Sequence, residues 1–168
     1  MHNKFPNKFY FINSFKKNNI DKLDNNTGVI YRNYKKKLNI VEILKIRNYC
    51  NKKKLKFIIS NYFKIALKYK LDGVYLPAFN KDLRHLSYEK KISFFILGSA
   101  HNIKEIRLKE KQKVDLIFIS SLFKKNKNYL GIHKFKNLMK RTNKRIIALG
   151  GISKINKKKN KLIELLWF

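Results

Sequence analysis

The amino-acid sequence predicts an α/β protein built on a parallel β-sheet, and three observations favour this class. Short apolar runs of strand length recur along the chain. The runs are continuously apolar, which is typical of strands covered on both faces. Segments with helical periodicity separate them, so strands and helices alternate. Seven such units favour a (β/α) barrel or an open doubly wound sheet, and composition alone does not choose between the two.

The predicted elements follow one another in regular order. The strands are expected at residues 9–12, 28–31, 57–59, 73–76, 94–97, 116–119 and 146–149. Two intervening helices show apolar residues every three or four positions, namely Tyr62, Ile65, Ala66 and Tyr69, and then Ile132, Phe135, Leu138 and Met139. Asn102 and Ser153 stand where a helix should begin, and both side chains are good N-caps.

Length and composition predict a single globular domain over residues 1–168. The chain is 44% hydrophobic with 6 Gly and 2 Pro, which excludes the composition of a disordered protein. Cys50 is the only cysteine, so a disulfide framework and a cysteine-rich zinc site are excluded, and we expect it to lie passively on a helix. No apolar stretch approaches the roughly 18 residues that span a bilayer, and no cleavage site of small residues follows the first apolar run. We therefore expect a cytoplasmic protein without a membrane partner.

The chain is strongly basic, with 41 Lys and Arg against 10 Asp and Glu. A formal charge of +31 would attract phosphate polyanions such as RNA. The lysines are scattered between apolar segments rather than gathered in one basic arm, and they occur with many Asn, Ile, Phe and Tyr residues. This pattern is typical of an adenine- and thymine-rich genome, and it argues against a nucleic-acid partner.

Polar residues follow the predicted strands, where parallel α/β proteins carry their working groups. Arg32 directly follows the second strand and could bind a phosphate through paired N–H donors, or simply be solvated. Ser99 and His101 follow the fifth strand and could bind a ligand, or His101 could orient its loop. Gly150 and Gly151 follow the seventh strand, where free backbone N–H groups could bind a phosphate or merely form a turn. The histidines and carboxylates show neither a hydrolase triad nor metal-ligand spacing.

These strand-end segments resemble the family of thiamine phosphate synthase and the thiazole tautomerase TenI. The likeness runs from about Tyr10 onwards, and its motifs keep their order and spacing. They are Asp72-Gly73-Val74-Tyr75-Leu76, Leu97-Gly98-Ser99-Ala100-His101 with Glu105, the strand from Asp115 to Phe123, Leu130-Gly131, and Ala148-Leu149-Gly150-Gly151-Ile152. The resemblance implies a (β/α)8 barrel of the TIM type, and it implies a transferase that joins hydroxymethylpyrimidine pyrophosphate to thiazole phosphate and releases pyrophosphate.

The resemblance also implies roles for individual residues. It assigns catalysis to Arg32, Asn61, Ser99 and Lys127, and phosphate binding to Arg32, Lys125, Gly150 and Gly151. The family would use Mg²⁺ held by two aspartates, but Tyr62 and Asn80 stand at those two positions. Asn80 could offer at most one oxygen ligand. The resemblance therefore implies Mg²⁺, although the two aspartates that would bind it are replaced in this sequence. Ser121 stands where TenI activity would need a histidine.

The end of the chain differs from the family pattern. It carries seven βα units, and the eighth strand is predicted to be missing or replaced by a makeshift strand from Leu162 onwards. The exposed sheet edges would then need cover from a partner, for which a homo-oligomer is one option. Two functional hypotheses stay open beside the remote alternative of a basic RNA-associated protein. One is the thiamine-phosphate-synthase-like transferase, in which lysines supply the cationic charge of the lost metal. The other is a degraded family member that binds thiazole phosphate or thiamine phosphate without turnover.

Overall fold

Each predicted apolar run forms a β-strand in the computed structural model, which describes residues 5–152. The elements in chain order are β1 (Lys8–Ile12), α1 (Lys17–Asp21), β2 (Thr27–Tyr31), α2 (Ile40–Lys52), β3 (Lys56–Ser60), α3 (Phe63–Lys68), β4 (Gly73–Leu76), a 3₁₀ helix (Arg84–Ser87), β5 (Phe95–Ala100), α4 (Ile103–Lys111), β6 (Leu116–Ser120), α5 (Gly131–Met139) and β7 (Arg145–Leu149). The alternation of strands with helices confirms the predicted α/β class. The expected N-cap Ser153 and the expected makeshift eighth strand lie outside the described residues.

The chain forms two compact units. Of the described residues, the first unit contains 5–75 and 89–95, and the second contains 76–88 and 96–152. In both units the strands are parallel and lie in the order in which they occur in the sequence. This order is that of a (β/α) barrel, because a doubly wound sheet reverses its strand order at a switch point. The prediction of one domain over residues 1–168 stays a prediction.

The first unit has its core between its strands and α2. In the strand register, Tyr10 lies opposite Val29 and Val29 lies opposite Phe57. The β-strand residues Val29 and Phe57 and the α2 residues Ile43 and Ile46 are fully buried. β1 is the exception, because exposure alternates along the strand although residues 9–12 are continuously apolar. Among the described residues it stands at the end of the strand order.

The second unit is organised by β5, β6 and β7. Ser99 of β5 lies opposite Phe118 of β6, which in turn lies opposite Ile147 of β7. Phe118 and the α5 residue Phe135 are fully buried, so the apolar periodicity of this helix indicates its packed face correctly.

The helix starts follow the capping residues. The side chain of Asn102 accepts a hydrogen bond from the backbone N–H of Glu105 at 3.0 Å, which confirms the predicted N-cap of α4. Asn39 caps α2 in the same manner, through the backbone N–H of Glu42 at 3.2 Å. Cys50 lies on α2, a helix as predicted, and it is buried, which raises the pKa of its thiol to about 12. Within residues 5–152, no helix has the length and apolarity needed to cross a membrane.

Candidate functional site

A cavity of about 320 Å³ lies where β1 and β2 end, and Arg32 forms part of its wall. The backbone N–H of Arg32 donates to the carbonyl oxygen of Ile12 at 2.7 Å, which continues the strand pairing by one residue. Its guanidinium carbon lies 4.7 Å from the centroid of the Phe11 ring, a cation–π contact that holds the side chain against β1. Lys16 and Asn13 also line the cavity. Two cations and an amide beside an aromatic ring form a suitable place for a phosphate group.

Tyr34 lies in the segment after β2, and its side chain contacts the end of β3. Its hydroxyl lies 2.7 Å from the hydroxyl of Ser60, the buried last residue of β3. Burial is the main reason why the pKa of Tyr34 is raised above its ordinary value. The Tyr34 hydroxyl therefore ties the segment after β2 to β3.

Asn61 directly follows β3 and takes a left-handed backbone conformation, with φ of 68°. Its backbone N–H donates to the carbonyl oxygen of Tyr75 on β4 at 2.8 Å. Asparagine tolerates this conformation better than most residues, so the backbone conformation is one reason why asparagine occurs at this position. Its side chain is exposed, as is that of Tyr62, which precedes α3. Since Arg32 follows β2 and Asn61 follows β3, the two predicted residues stand at the same end of neighbouring parallel strands.

Asn80 lies after β4, and its side-chain oxygen accepts two hydrogen bonds. The donors are the backbone N–H of Asp82 at 2.9 Å and the side-chain amide of Gln112 at 3.0 Å. Within residues 5–152, no three His, Cys, Asp or Glu side chains are grouped so that they could hold a metal ion. Mg²⁺ prefers carboxylate oxygens, whereas Tyr62 and Asn80 offer a phenol and an amide oxygen already used as an acceptor. The residues present at the two positions therefore do not fit a magnesium site.

His101 connects the ends of β5 and β6. Its ring nitrogen Nδ1 donates to the carbonyl oxygen of Ser120 at 2.7 Å. Its backbone N–H donates to the carboxylate of Glu105 at 2.6 Å. The backbone N–H of Glu105 donates in turn to the side-chain oxygen of the capping residue Asn102. These contacts favour the interpretation that His101 orients its loop. Ser99 lies buried near the end of β5.

Gly150 and Gly151 lie against the loop that follows β6. Both have positive φ angles, of 91° and 79°. The carbonyl oxygen of Gly150 accepts from the backbone N–H groups of Phe123 at 2.8 Å and Lys124 at 3.1 Å. A Cβ atom at residue 150 would lie 2.9 Å from Ser121 Cα, and one at residue 151 would lie 2.7 Å from the backbone nitrogen of Lys124. Glycine is therefore required at both positions by backbone conformation and by close approach.

The loop after β6 carries three exposed lysines: Lys124, Lys125 and Lys127. The hydroxyl of Ser121 donates to the carbonyl oxygen of Lys124 at 2.8 Å and thereby closes the first turn of the loop. The second unit thus brings the predicted residues Lys125 and Lys127 onto the same loop that packs on Gly150. The first unit holds Arg32 and Asn61 at neighbouring strand ends.

The sequence pattern did not indicate the roles of Lys109 and Gln112. Both are buried in the second unit, and both donate hydrogen bonds to backbone oxygens of the segment after β4. One signal was present, because Lys109 lies three positions after the buried Ile106 and so falls on the apolar face of α4. In a chain with 41 basic residues this signal did not stand out.

Comparisons of the amino-acid sequence with known proteins show one family. Residues 23–162 match the family model described as thiamine monophosphate synthase. The chain is 36% identical over 119 residues to a thiamine-phosphate synthase of Prochlorococcus marinus subsp. pastoris, a match covering 68% of this chain and 34% of that protein. It is 30% identical over 123 residues to a thiamine-phosphate synthase of Persephonella marina, covering 68% and 57% of the two chains. The chain therefore spans between about a third and three fifths of the length of these relatives.

One solved structure shares the fold over nearly the whole chain. Thiamine phosphate pyrophosphorylase from Pyrococcus furiosus superposes with a TM-score of 0.72 at 18% identity, covering 95% of this chain and 81% of that chain. At this identity the match supports the fold, and it confirms the predicted barrel-type α/β architecture.

Proposed function

Since this chain belongs to the thiamine monophosphate synthase family, we propose that it is a transferase of thiamine biosynthesis. It would join hydroxymethylpyrimidine pyrophosphate to thiazole phosphate and release pyrophosphate. The observation that carries the proposal is the position of Arg32, which lines a polar cavity at the ends of β1 and β2 beside Lys16. The matched residues 23–162 include Arg32 and all the residues to which the reaction below assigns a role.

In this reaction the bond between the pyrimidine methylene carbon and the pyrophosphate oxygen breaks, and the electron pair leaves with pyrophosphate. The ring nitrogen of the thiazole then donates its electron pair to the methylene carbon, and the positive charge ends on the thiazolium product. The protein has to stabilise the charge of the leaving group. Arg32 would donate hydrogen bonds from its guanidinium group to a phosphate oxygen, and Lys125 and Lys127 would supply further positive charge. The backbone N–H groups at Gly150 and Gly151 would bind the thiazole phosphate.

The test is to incubate the purified protein with both substrates, with Mg²⁺ in one series and with EDTA in another, and to measure thiamine phosphate by chromatography. We expect product in both series, because Tyr62 and Asn80 do not form a metal site. Absence of product above a heat-inactivated control in both series would contradict a transferase.

Arg32→Ala should weaken binding of inorganic pyrophosphate about 10-fold or more, because a hydrogen bond to a charged group contributes about 1.5–3 kcal/mol. Calorimetry with the wild-type protein and the variant measures this. Arg141→Ala removes the same charge from the exposed segment after α5 and serves as the matched control. Equal losses in the two variants would show that only overall charge matters.

A second function is favoured by the replacement of both expected carboxylates, at Tyr62 and Asn80. The chain would then bind thiazole phosphate or thiamine phosphate without turnover. Calorimetry with each compound distinguishes this function, since binding without product formation supports it. Failure to bind either compound would remove it.

A further inference from the structure

Lys109 is fully buried in the second unit, although lysine is rarely buried unless its charge is paired. Its ammonium group donates to three oxygens: the carbonyl of Pro77 at 2.8 Å, the carbonyl of Asn80 at 3.0 Å and the side-chain Oε1 of Gln112 at 2.8 Å. An ammonium group has three N–H donors, so all of them are used. All three acceptors are uncharged, and the group is surrounded by oxygens in the way that proteins surround a small cation.

Gly98 on β5 makes room for the lysine stem. A Cβ atom at residue 98 would lie 2.9 Å from Lys109 Cδ and 3.2 Å from Lys109 Cγ. Gly150 and Gly151 have positive φ angles, but Gly98 does not. Val114 Cγ1 would lie 3.1 Å from the same Cβ atom at residue 98, so the glycine is explained by the space that Lys109 and Val114 occupy.

Gln112 completes the contact with the segment after β4. Its side-chain amide nitrogen lies within hydrogen-bond distance of the Asp82 carbonyl at 2.9 Å and of the Asn80 side-chain and carbonyl oxygens at 3.0 and 3.2 Å. The backbone carbonyl oxygen of Gln112 accepts a hydrogen bond from the ring nitrogen Nε2 of the buried His85 at 2.9 Å. Residues 77–82 are thus attached to the end of α4 by a connected set of buried hydrogen bonds, which tends to fix one conformation.

We propose that Lys109 is a positioning residue, a built-in cation that holds residues 77–82 in place through their carbonyl oxygens and thereby fixes Asn80 at the carboxyl end of β4. The segment needs no divalent metal for its order. The positioning role stands on the hydrogen bonds above, whereas its consequence for ligand binding rests on the proposed transferase function.

The charge state of the lysine is compatible with this role. Burial lowers the pKa of Lys109 to about 8, while the Glu105 carboxylate acts in the opposite direction. At pH 7 the group is therefore still mostly protonated and can donate to all three oxygens.

The first experiment replaces the ammonium and keeps the stem. In Lys109→Met, we expect amide hydrogen exchange in the segment 77–82 to become about tenfold faster or more, while β6 and β7 keep their protection. Mass spectrometry of proteolytic fragments reports exchange in each segment. In the wild-type protein, exchange of this segment should be the same in EDTA and in Mg²⁺. Unchanged exchange in Lys109→Met, or wild-type protection that appears only with Mg²⁺, would overturn the proposal.

Two further variants keep the test decisive. Lys111→Met removes an exposed lysine from the same helix and should leave exchange in the segment 77–82 unchanged. Gly98→Ala displaces the Lys109 stem without removing its charge, so it should loosen the same segment even if Lys109→Met fails to fold. Exchange in Gly98→Ala that matches the wild type would then count against the proposal.

Binding separates the positioning role from the proposed function. If the wild-type protein binds inorganic pyrophosphate, Lys109→Met should bind it at least about threefold more weakly, since a looser segment must first be ordered. Equal affinity in the two proteins would limit Lys109 to a structural role and overturn its link to the site. If the wild-type protein binds neither pyrophosphate nor thiazole phosphate, the transferase proposal fails, and the exchange data still decide what Lys109 does.

Discussion

Two buried titratable side chains show how strongly the interior of this protein acts on single residues. Burial raises the pKa of the Cys50 thiol to about 12, and burial lowers the pKa of the Lys109 ammonium to about 8. Both shifts favour the neutral form, because a charge loses its hydration inside the protein. Lys109 still finds three oxygen acceptors, whereas Cys50 behaves as a small apolar residue on α2.

The Cys50 shift predicts a stability loss at alkaline pH. The folded pKa of about 12 lies above the ordinary value of 9.0, so the unfolded chain loses this proton first as the pH rises. The thiol's contribution to the free energy of unfolding is complete below pH 9 and should fall by about 1.4 kcal/mol per pH unit between pH 9 and 12. Urea unfolding of the wild-type protein and Cys50→Ala at pH 7, 9 and 10.5 measures this, and the stability difference between them should shrink above pH 9.

A constant difference over this pH range would show that the thiol ionises as easily in the folded protein as in the unfolded chain. Alkylation with iodoacetamide at pH 8 gives an independent control. The native protein should react far more slowly than the protein in denaturant, since the thiolate is the reactive form and Cys50 is fully buried.

At the level of elements, the sequence predicted the positions of the strands, but it predicted the burial of β1 and the short helices only in part. Continuous apolar runs located all seven strands, because strands covered on both faces exclude polar residues. The same argument predicted too much cover for β1, in which exposed and partly buried residues alternate. The short helices α1 (Lys17–Asp21) and the 3₁₀ helix (Arg84–Ser87) were not predicted, since elements of four or five residues carry too little periodicity.

The candidate site was predictable where it follows strand ends and not where it depends on side-chain packing. Arg32 and Asn61 could be located because each directly follows a strand. The positive φ angles and close contacts of Gly150 and Gly151 show why glycine occurs there, but a sequence does not reveal which loop approaches them. Lys109 was missed because its role arises from the segment 77–82, which is distant in the sequence.

The N-cap of α4 is testable by itself. Asn102→Ala should lower the free energy of unfolding by about 1 kcal/mol, because the backbone N–H of Glu105 loses its acceptor. The adjacent bond from the His101 N–H to the Glu105 carboxylate should weaken as well. Chemical denaturation gives the value. Lys104→Ala changes an exposed residue of the same helix and should stay within about 0.5 kcal/mol of the wild type, so a comparable loss in both variants would contradict a capping role.

For the whole molecule, the dominant quantity is the formal charge of +31. Charges of one sign repel one another in the compact state, and salt screens them over a Debye length of about 10 Å at 0.1 M. Raising NaCl from 0.05 to 0.5 M should therefore raise the melting temperature by about 3 °C or more, which corresponds to roughly 1 kcal/mol at this chain length. Sodium chloride is preferred to sulfate, since sulfate also strengthens apolar burial. A melting temperature that falls with salt would mean that attractive ion pairs outweigh the repulsion.

Because Lys109 is buried, its amine should be less accessible to chemical reagents than the exposed lysine amines of this protein. An acylating reagent neutralises lysines that it can reach, and the Lys109 ammonium is enclosed by backbone and side-chain oxygens. Graded acetylation of the native protein can thus remove surface charge stepwise while the internal cation and the segment it holds stay chemically intact. A set of such preparations would resolve how much of any polyanion affinity comes from the surface, with the amino-acid sequence unchanged.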